Sequence, residues 1–477
     1  MGDKNRMKQS LLLSLLCSAA LSITASAASA ADIGGDCCAD LEERVATLEA
    51  TTARKGNRKV SLSISGWINQ GLYIWDDGVD SDAYVVTDNG ATLSTRLTFA
   101  GAAQINTDWS AGYTITIQPV ETEALFGVSQ QNDDGSFIGG LGLLESYMYI
   151  KSKNLGKVSW GLQSQATDNI GVADLSGGLW SGVAPIFRGN AFKLRSKTGG
   201  SFNNDGSAAP GLTGGNTAAD PTEIASIKTG ITSADLALCH TVNAGIGLDC
   251  NGFLTNSIKY ESPTISGFTL SSSWGENDFY DVALKYAGQF GDFKVLGALG
   301  YVNSQSNTAG GNSLAVAGTD VEILNVAGAI MHVPTGIFFN FDYNQEFVDS
   351  IGGVSAGNLV NNFNANASFE DNPESIYLKF GIKQKWNSLG ATSIFGDYAI
   401  YKDRYDPLLF ASGVTGSEIK RWGVGINQWV DAAAMQVYVK YTHMEFDVDA
   451  VAGSTAAPLA AGIEDWNEVA VGAVLFF

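Results

Sequence analysis

Histidine, the side chain that most often acts as a general base, is rare in this 477-residue sequence. His240, His332 and His443 are its only histidines. His332 precedes a turn proline and His443 lies on an apolar strand face, so we expect no acid beside either. No nucleophile motif, metal-ligand spacing or phosphate-binding glycine loop accompanies them. These observations disfavour an enzyme and predict neither a cofactor nor a metal site.

Cysteines offer a second kind of chemistry. Cys239 and Cys250 are eleven positions apart in a loop-like stretch. In an exported chain such a pair favours a disulfide. The adjacent Cys37 and Cys38 rarely bridge each other without strain, so bonds between subunits and free thiols both remain open for them.

The N-terminus indicates export. Three basic residues precede an apolar run over residues 11–23, and Ala28-Ser29-Ala30 fits a signal peptidase site. We therefore expect residues 1–30 to be a signal peptide. The formal net charge of −21 disfavours nucleic-acid binding, which requires a basic face.

A heptad-like pattern follows the signal peptide. Apolar or small residues recur at spacings of 3 and 4 over about two repeats, at Cys38, Leu41, Val45, Leu48 and Thr52. Residues 31–58 are therefore predicted to be a periplasmic segment. A short helix or coiled coil and a disordered leader are both compatible with it.

From Lys59 onward the sequence alternates with a period of two, which is typical of β-strands. Sixteen segments can be read in this way: 59–75, 92–106, 109–119, 144–152, 157–164, 253–261, 268–276, 279–287, 292–303, 321–333, 336–347, 374–386, 391–402, 419–430, 434–446 and 465–477. The first spans seventeen residues, longer than the usual soluble strand.

Short and long connections alternate between these segments. The long ones are 76–91, 120–143, 165–252, 304–320, 348–373, 403–418 and 447–464, with one short exception near Asn277-Asp278. A barrel in the bacterial outer membrane has this arrangement, because one end faces the periplasm and the other the cell surface. Residues 59–477 are therefore predicted to form an all-β, transmembrane antiparallel barrel of about 16 strands.

The last predicted strand ends on an aromatic pair. Phe477 is a candidate interfacial anchor and lets this strand pair with the first. It also resembles the terminal residue by which outer-membrane barrels are recognised for insertion. We expect it to be an assembly signal.

The stretch CADLEERVATLEATTARKGNRKVSLSISGWINQGLY (residues 38–73) resembles the porins of alphaproteobacteria. This resemblance implies a homotrimer whose barrels pass small hydrophilic solutes and ions by passive diffusion. It also implies that the third long loop folds into the lumen. The alternatives are a substrate-specific outer-membrane channel and an outer-membrane barrel enzyme. Expected partners are outer-membrane lipid and lipopolysaccharide.

Successive side chains of a strand point to opposite faces, so a residue's position in the alternation predicts whether its charge faces the lumen. A charge that faces lipid at mid-bilayer costs about 2–4 kcal/mol, so the bases on apolar strands should point inward. These bases are Arg96, Lys379, Lys383, Arg421 and Lys440. From the third long loop we add Asp168, Asp174 and Arg188. Loop acids opposite wall bases would set up a field across the pore. For each base, a general lumen charge is the favoured interpretation over a residue of the narrowest ring.

Acidic clusters mark several predicted loops, at Asp76, Asp77, Asp80 and Asp82 and at Asp133 and Asp134. They could meet divalent cations shared with lipopolysaccharide. Solubility of exposed loops is the simpler interpretation.

Overall fold

The computed structural model describes most of the chain beyond residue 59. The described residues are 60–86, 94–119, 129–130, 141–184, 192–203, 206–209, 230–240, 245–246, 250, 254–275, 279–306, 319–351, 354–355, 358–364, 368–369 and 372–477. The predicted signal peptide, the predicted periplasmic segment 31–58 and Arg188 lie outside them.

Sixteen strands of the described part form one closed antiparallel barrel. They are β1 (Ser63–Asp76), β2 (Arg96–Gln104), β3 (Trp109–Pro119), β4 (Leu141–Ser152), β5 (Gly156–Gln163), β6 (Thr255–Glu261), β7 (Phe268–Gly275), β8 (Tyr280–Phe290), β9 (Phe293–Ser306), β10 (Thr319–His332), β11 (Ile337–Ile351), β12 (Glu374–Gln384), β13 (Thr392–Lys402), β14 (Val414–Val430), β15 (Met435–Ala450) and β16 (Trp466–Phe476). Each pairs with its sequence neighbours, and β1 pairs with both β2 and β16. The predicted sixteen-stranded barrel is confirmed.

The alternation of side chains explains this closure. On β1, Ile64, Ile68 and Ile74 are exposed on the outer face, whereas Asn69 and Tyr73 are buried on the inner face. Apolar side chains therefore meet lipid and polar ones meet the lumen. Closure also gives the backbone groups of every strand edge a hydrogen-bonding partner. A bilayer requires this because its core contains no water that could bind unpaired N–H and carbonyl groups.

Several strands continue further than the apolar alternation predicted. β14 begins at Val414 rather than at 419, and β15 continues to Ala450 rather than to 446. Pairing persists there between charged residues, as where Glu418 lies opposite Asp447. The added strand Ser81–Val86 pairs with β1 inside a predicted loop. Backbone pairing between strands thus extends beyond the segments in which apolar and polar residues alternate.

The short connections are tight turns at one barrel end. Between β10 and β11, Gly336 has a φ of 69°, a left-handed conformation that costs glycine no side-chain clash. Its N–H donates to the carbonyl oxygen of His332 at 2.7 Å. Turns of this kind hold neighbouring strands in register.

The long connections at the other end pack on one another. Two short helices, α1 (Pro407–Ala411) and α2 (Ala457–Ala460), lie there. Leu236, Phe410 and Leu459 are buried in one hydrophobic cluster with inward residues of the barrel. No helix among the described residues is long and apolar enough to cross a bilayer.

Candidate pore lining

Residues 164–184, which we call the lumen segment, lie against the inner wall of the barrel. The backbone N–H and the hydroxyl of Thr167 each donate to the Asp281 carboxylate at 2.7 Å. Ile170 packs on three small wall residues, Ala283, Ala298 and Ala327. Small side chains on β8–β10 thus leave room for the lumen segment.

Asp174 joins the lumen segment to the wall. Its carboxylate lies 3.3 Å from the ammonium of Lys379 and accepts a hydrogen bond from Asn340 at 2.6 Å. Lys379 is fully buried and also donates to the carbonyl oxygens of Gly178 and Gly182, at 3.4 and 2.8 Å. The predicted acid and base therefore meet directly instead of facing each other across open water.

Arg421 and Lys440 point inward, as their parity indicates, and both are covered. Arg421 donates to the carbonyl oxygens of Val183 and Ala184, at 2.6 and 3.1 Å. Lys440 forms a buried ion pair with Asp397. These bases neutralise acids and carbonyl dipoles at the wall.

The remaining predicted pore residues among the described ones are Lys383, Asp168 and Arg96. Lys383 is half-buried on β12. Asp168 is buried, accepts hydrogen bonds from Asn169, and its carbonyl oxygen accepts one from Lys285 at 3.3 Å. Arg96 is half-buried, with its guanidinium carbon 4.6 Å from the centre of the Trp67 ring.

Burial divides the inner wall into two halves. On β13–β15 the inward charged side chains of the described residues are all buried. On β2–β6, several inward charged or polar side chains are only half-buried. They are Arg96, Thr98, Glu145, Tyr147, Lys157, Lys259 and Glu261. The lumen segment therefore covers one half of the wall and leaves the other accessible.

Sequence reasoning missed Glu145, Lys157 and Glu261. Lys157 and Glu261 form an ion pair between β5 and β6, and the Glu145 carboxylate accepts a hydrogen bond from Thr116 at 3.0 Å. Their strand parity would have identified them, because each alternates with outward apolar residues such as Val158 and Ile258.

A buried charged cluster fastens the end of the third long loop. Glu346 on β11 accepts from Arg404 at 2.9 Å and lies 2.9 Å from Nδ1 of His240. The other ring nitrogen of His240 lies 3.1 Å from the carbonyl oxygen of Tyr405. All three side chains are buried, so this end of the loop is tied to the barrel.

Cys239 and Cys250 lie beside that cluster. Their sulfur atoms are 2.07 Å apart, a disulfide. The Arg404 guanidinium lies 3.3 Å from the Cys250 sulfur. Both sulfurs also lie near the Glu346 carboxylate, but thiolates are the form that binds metals and a disulfide has none.

Two sequence-based expectations were wrong. Asp77, taken as part of an exposed acidic cluster, is buried and forms an ion pair with Arg195 at 2.6 Å. This pair holds the start of the first long loop against residues of the third. His443 does have an acid beside it, because Glu445 lies 3.4 Å away on the same outward face of β15.

A closed sixteen-stranded barrel with a chain segment lining its lumen defines the class of outer-membrane channels. The profile described as Gram-negative porin matches residues 17–449. The chain belongs to the Gram-negative porin family, which confirms the resemblance seen in the sequence. It is an outer-membrane porin that forms a diffusion channel. No curated protein sequence matches the chain significantly.

Several solved outer-membrane protein structures are similar to this chain at low sequence identity. An anion-selective porin from Comamonas acidovorans is 14% identical, with 88% of this chain and 100% of that chain covered and a TM-score of 0.49. The trimer form of OmpT from Vibrio cholerae is 12% identical, with 88% and 99% covered and a TM-score of 0.47. A mutant porin of Rhodobacter blastica is 14% identical, with 87% and 100% covered and a TM-score of 0.40.

Proposed function

We propose that small hydrophilic solutes and ions cross the outer membrane passively through this barrel, along the wall formed by β2–β6. The observation that carries the proposal is the division of burial on the inner wall. A solute needs a path lined by hydrated polar groups. The inward charged side chains at Arg96, Glu145, Lys157, Lys259 and Glu261 of β2–β6 are half-buried, whereas those of β13–β15 are buried. The path therefore lies between the lumen segment and β2–β6.

The charges along this path include both signs. Arg96 and Lys157 are basic, whereas Glu145 and Glu261 are acidic, and none of the four is fully buried. Mixed charges in a narrow passage between low-dielectric walls give local fields without a large net preference. General diffusion with weak ion selectivity follows from this composition.

Single-channel recording of the purified protein in a planar bilayer tests the channel. We expect stepwise, ohmic conductance that disappears in a heat-unfolded sample. Hydrolysis of lipid and peptide substrates by the same preparation should not exceed that of the unfolded control. Activity above it would instead support an enzyme, with His443 and Glu445 as the first residues to substitute.

Cysteine accessibility tests the path. In a background where Cys37 and Cys38 are serine, Thr98→Cys should react with a charged methanethiosulfonate added to the bath, and the current should fall. Asn340→Cys is the matched control, because Asn340 is also an inward polar residue but is only 2% exposed. Block at position 340 and none at position 98 would place the path on the opposite wall.

We also propose that three copies assemble as a homotrimer embedded in lipid and lipopolysaccharide. The proposal is supported by membership of the porin family and by the similarity to Vibrio cholerae OmpT, which has been solved in a trimer form. Light scattering coupled to size-exclusion chromatography in mild detergent should give three times the mass of one chain. A single-chain mass would contradict this assembly.

A further inference from the structure

An aromatic cluster attaches the lumen segment to the strands that close the barrel. Trp180, only 7% exposed, meets Trp67 of β1 edge-on, with ring centres 5.8 Å apart and planes at 85°. It meets Phe476 of β16 in the same manner, at 5.2 Å and 83°. Phe476 in turn stacks on Trp429 of β14 at 5.5 Å. Edge-to-face aromatic pairs are favourable beyond the area that they bury.

The last two residues of the chain lie on opposite sides of the wall. Phe477 faces outward and is 53% exposed, whereas Phe476 faces the lumen and contacts Trp180. This follows from the period of two in β16. An outward aromatic can anchor a barrel at the interface, but the inward Phe476 cannot perform that role.

Trp180 extends the attachments of the lumen segment around the wall. Neighbouring residues of the segment are held by polar contacts with β14 and β15, where Ser181 donates to Asn427 at 2.8 Å and Gly177 accepts from Gln436. Trp180 continues this series to β16 and β1. Arg96, the first charge of the proposed path, lies over the Trp67 ring, with its guanidinium carbon 4.6 Å from the ring centre.

We propose that Trp180 and Phe476 are positioning residues that set the width of the solute path. Their contact holds the lumen segment against the closing strands, at a fixed distance from Arg96. This inference rests on the proposed diffusion path and adds the residues that define its width. Without the contact the segment would leave the wall more often, and the path beside Arg96 would fluctuate in width.

Alanine substitutions test the contact. Trp180→Ala and Phe476→Ala should each raise the open-channel noise of the folded protein and change its mean conductance. The time that the segment spends displaced should rise by roughly 2- to 10-fold, the equivalent of ~0.5–1.5 kcal/mol for an aromatic pair. Leu475→Ala is the matched control, because Leu475 is an apolar neighbour on β16 that faces outward and is 41% exposed. It should leave the recordings unchanged.

A double-mutant cycle separates this role from general destabilisation. If both residues act through one contact, Trp180→Ala/Phe476→Ala should be no noisier than either single variant, and Trp180→Phe should restore most of the wild-type behaviour. Additive effects, or a Trp180→Ala channel identical to wild type, would overturn the inference. Should Phe476→Ala fail to assemble, the comparison of Trp180→Ala with Trp180→Phe decides alone. A wild-type protein without conductance would instead contradict the diffusion function itself.

Discussion

Arg421 is surrounded by aromatic rings and carbonyl groups. Its guanidinium carbon lies 5.5 and 5.7 Å from the ring centres of Tyr377 and Tyr401. Two carbonyl oxygens of the lumen segment accept its N–H groups. A planar guanidinium with several fixed donors can satisfy both at once, which the single ammonium of lysine does poorly. Arg421 therefore acts by holding the segment.

Arg421→Lys distinguishes this role from that of a pore charge. It keeps the positive charge but should loosen the lumen segment, because a charged hydrogen bond contributes ~1.5–3 kcal/mol. We expect higher open-channel noise and nearly unchanged reversal potentials across a salt gradient. Arg96→Lys, at a half-buried base, should leave the noise unchanged. The opposite result would be wild-type noise in Arg421→Lys and a shifted reversal potential in Arg421→Gln. It would show that only the charge of Arg421 matters.

The direction of the wall bases could be predicted from the sequence, but their covering could not. Lys379 and Arg421 alternate with outward residues and share the parity of buried inward residues such as Tyr377 and Asn427, so their direction could be predicted. Their partners are residues 174–184, about 200 positions away in the sequence. Pairing at that separation depends on the path of a loop without periodicity. The same parity argument would have identified the half-buried acids Glu145 on β4 and Glu261 on β6.

At the scale of elements, the long loops are ordered by buried polar groups as well as by apolar ones. Residues 230–240 contain a short helical turn whose Asp235 accepts hydrogen bonds from the N–H and the hydroxyl of Thr232, at 2.7 and 2.9 Å. Burial, reinforced by the nearby Asp406 carboxylate, raises the pKa of Asp235 to about 6. Folding thus favours the protonated form of Asp235 relative to the unfolded chain.

The stability of this turn should therefore depend on pH. Since the folded pKa is above the unfolded value, stabilisation is fully present below about pH 4 and is lost as pH rises through about 6. The loss should be about 1–2 kcal/mol, because the side chain retains some contact with water. Hydrogen exchange of residues 230–240, corrected for intrinsic rates, should show more protection at pH 5 than at pH 7.5.

Asp235→Asn is the control for this dependence. It keeps the shape but cannot ionise, so its protection should be the same at both pH values. An Asn variant that retains the wild-type difference would assign the pH effect to another group. Neither Asp235 nor the added strand Ser81–Val86 could be placed from the sequence, because loops have no period and their structure depends on contacts with other loops.

The whole molecule depends on the joint between its first and last strands. Ten residue pairs connect β1 to β16, from Trp67 opposite Phe476 to Asp76 opposite Asn467. The backbone of Phe477 adds one more rung, since its N–H donates to Gly66 at 3.1 Å and its carbonyl accepts from Gly66 at 3.0 Å. Closure was predictable because the alternation continued to the last residue.

Removing Phe477 should therefore impair assembly more than permeation. The deletion removes both hydrogen bonds to Gly66 and the exposed outward ring that we expect at the membrane interface, so β16 would end short of its partner. We expect a lower yield of the folded, heat-modifiable species on unheated gels, whereas molecules that do fold should conduct like wild type. Phe477→Tyr keeps the rung and an interfacial aromatic and should assemble normally, while Phe477→Asp keeps the rung but places a charge at the interface and should not. Wild-type yield from the deletion would mean that the barrel closes without its last residue.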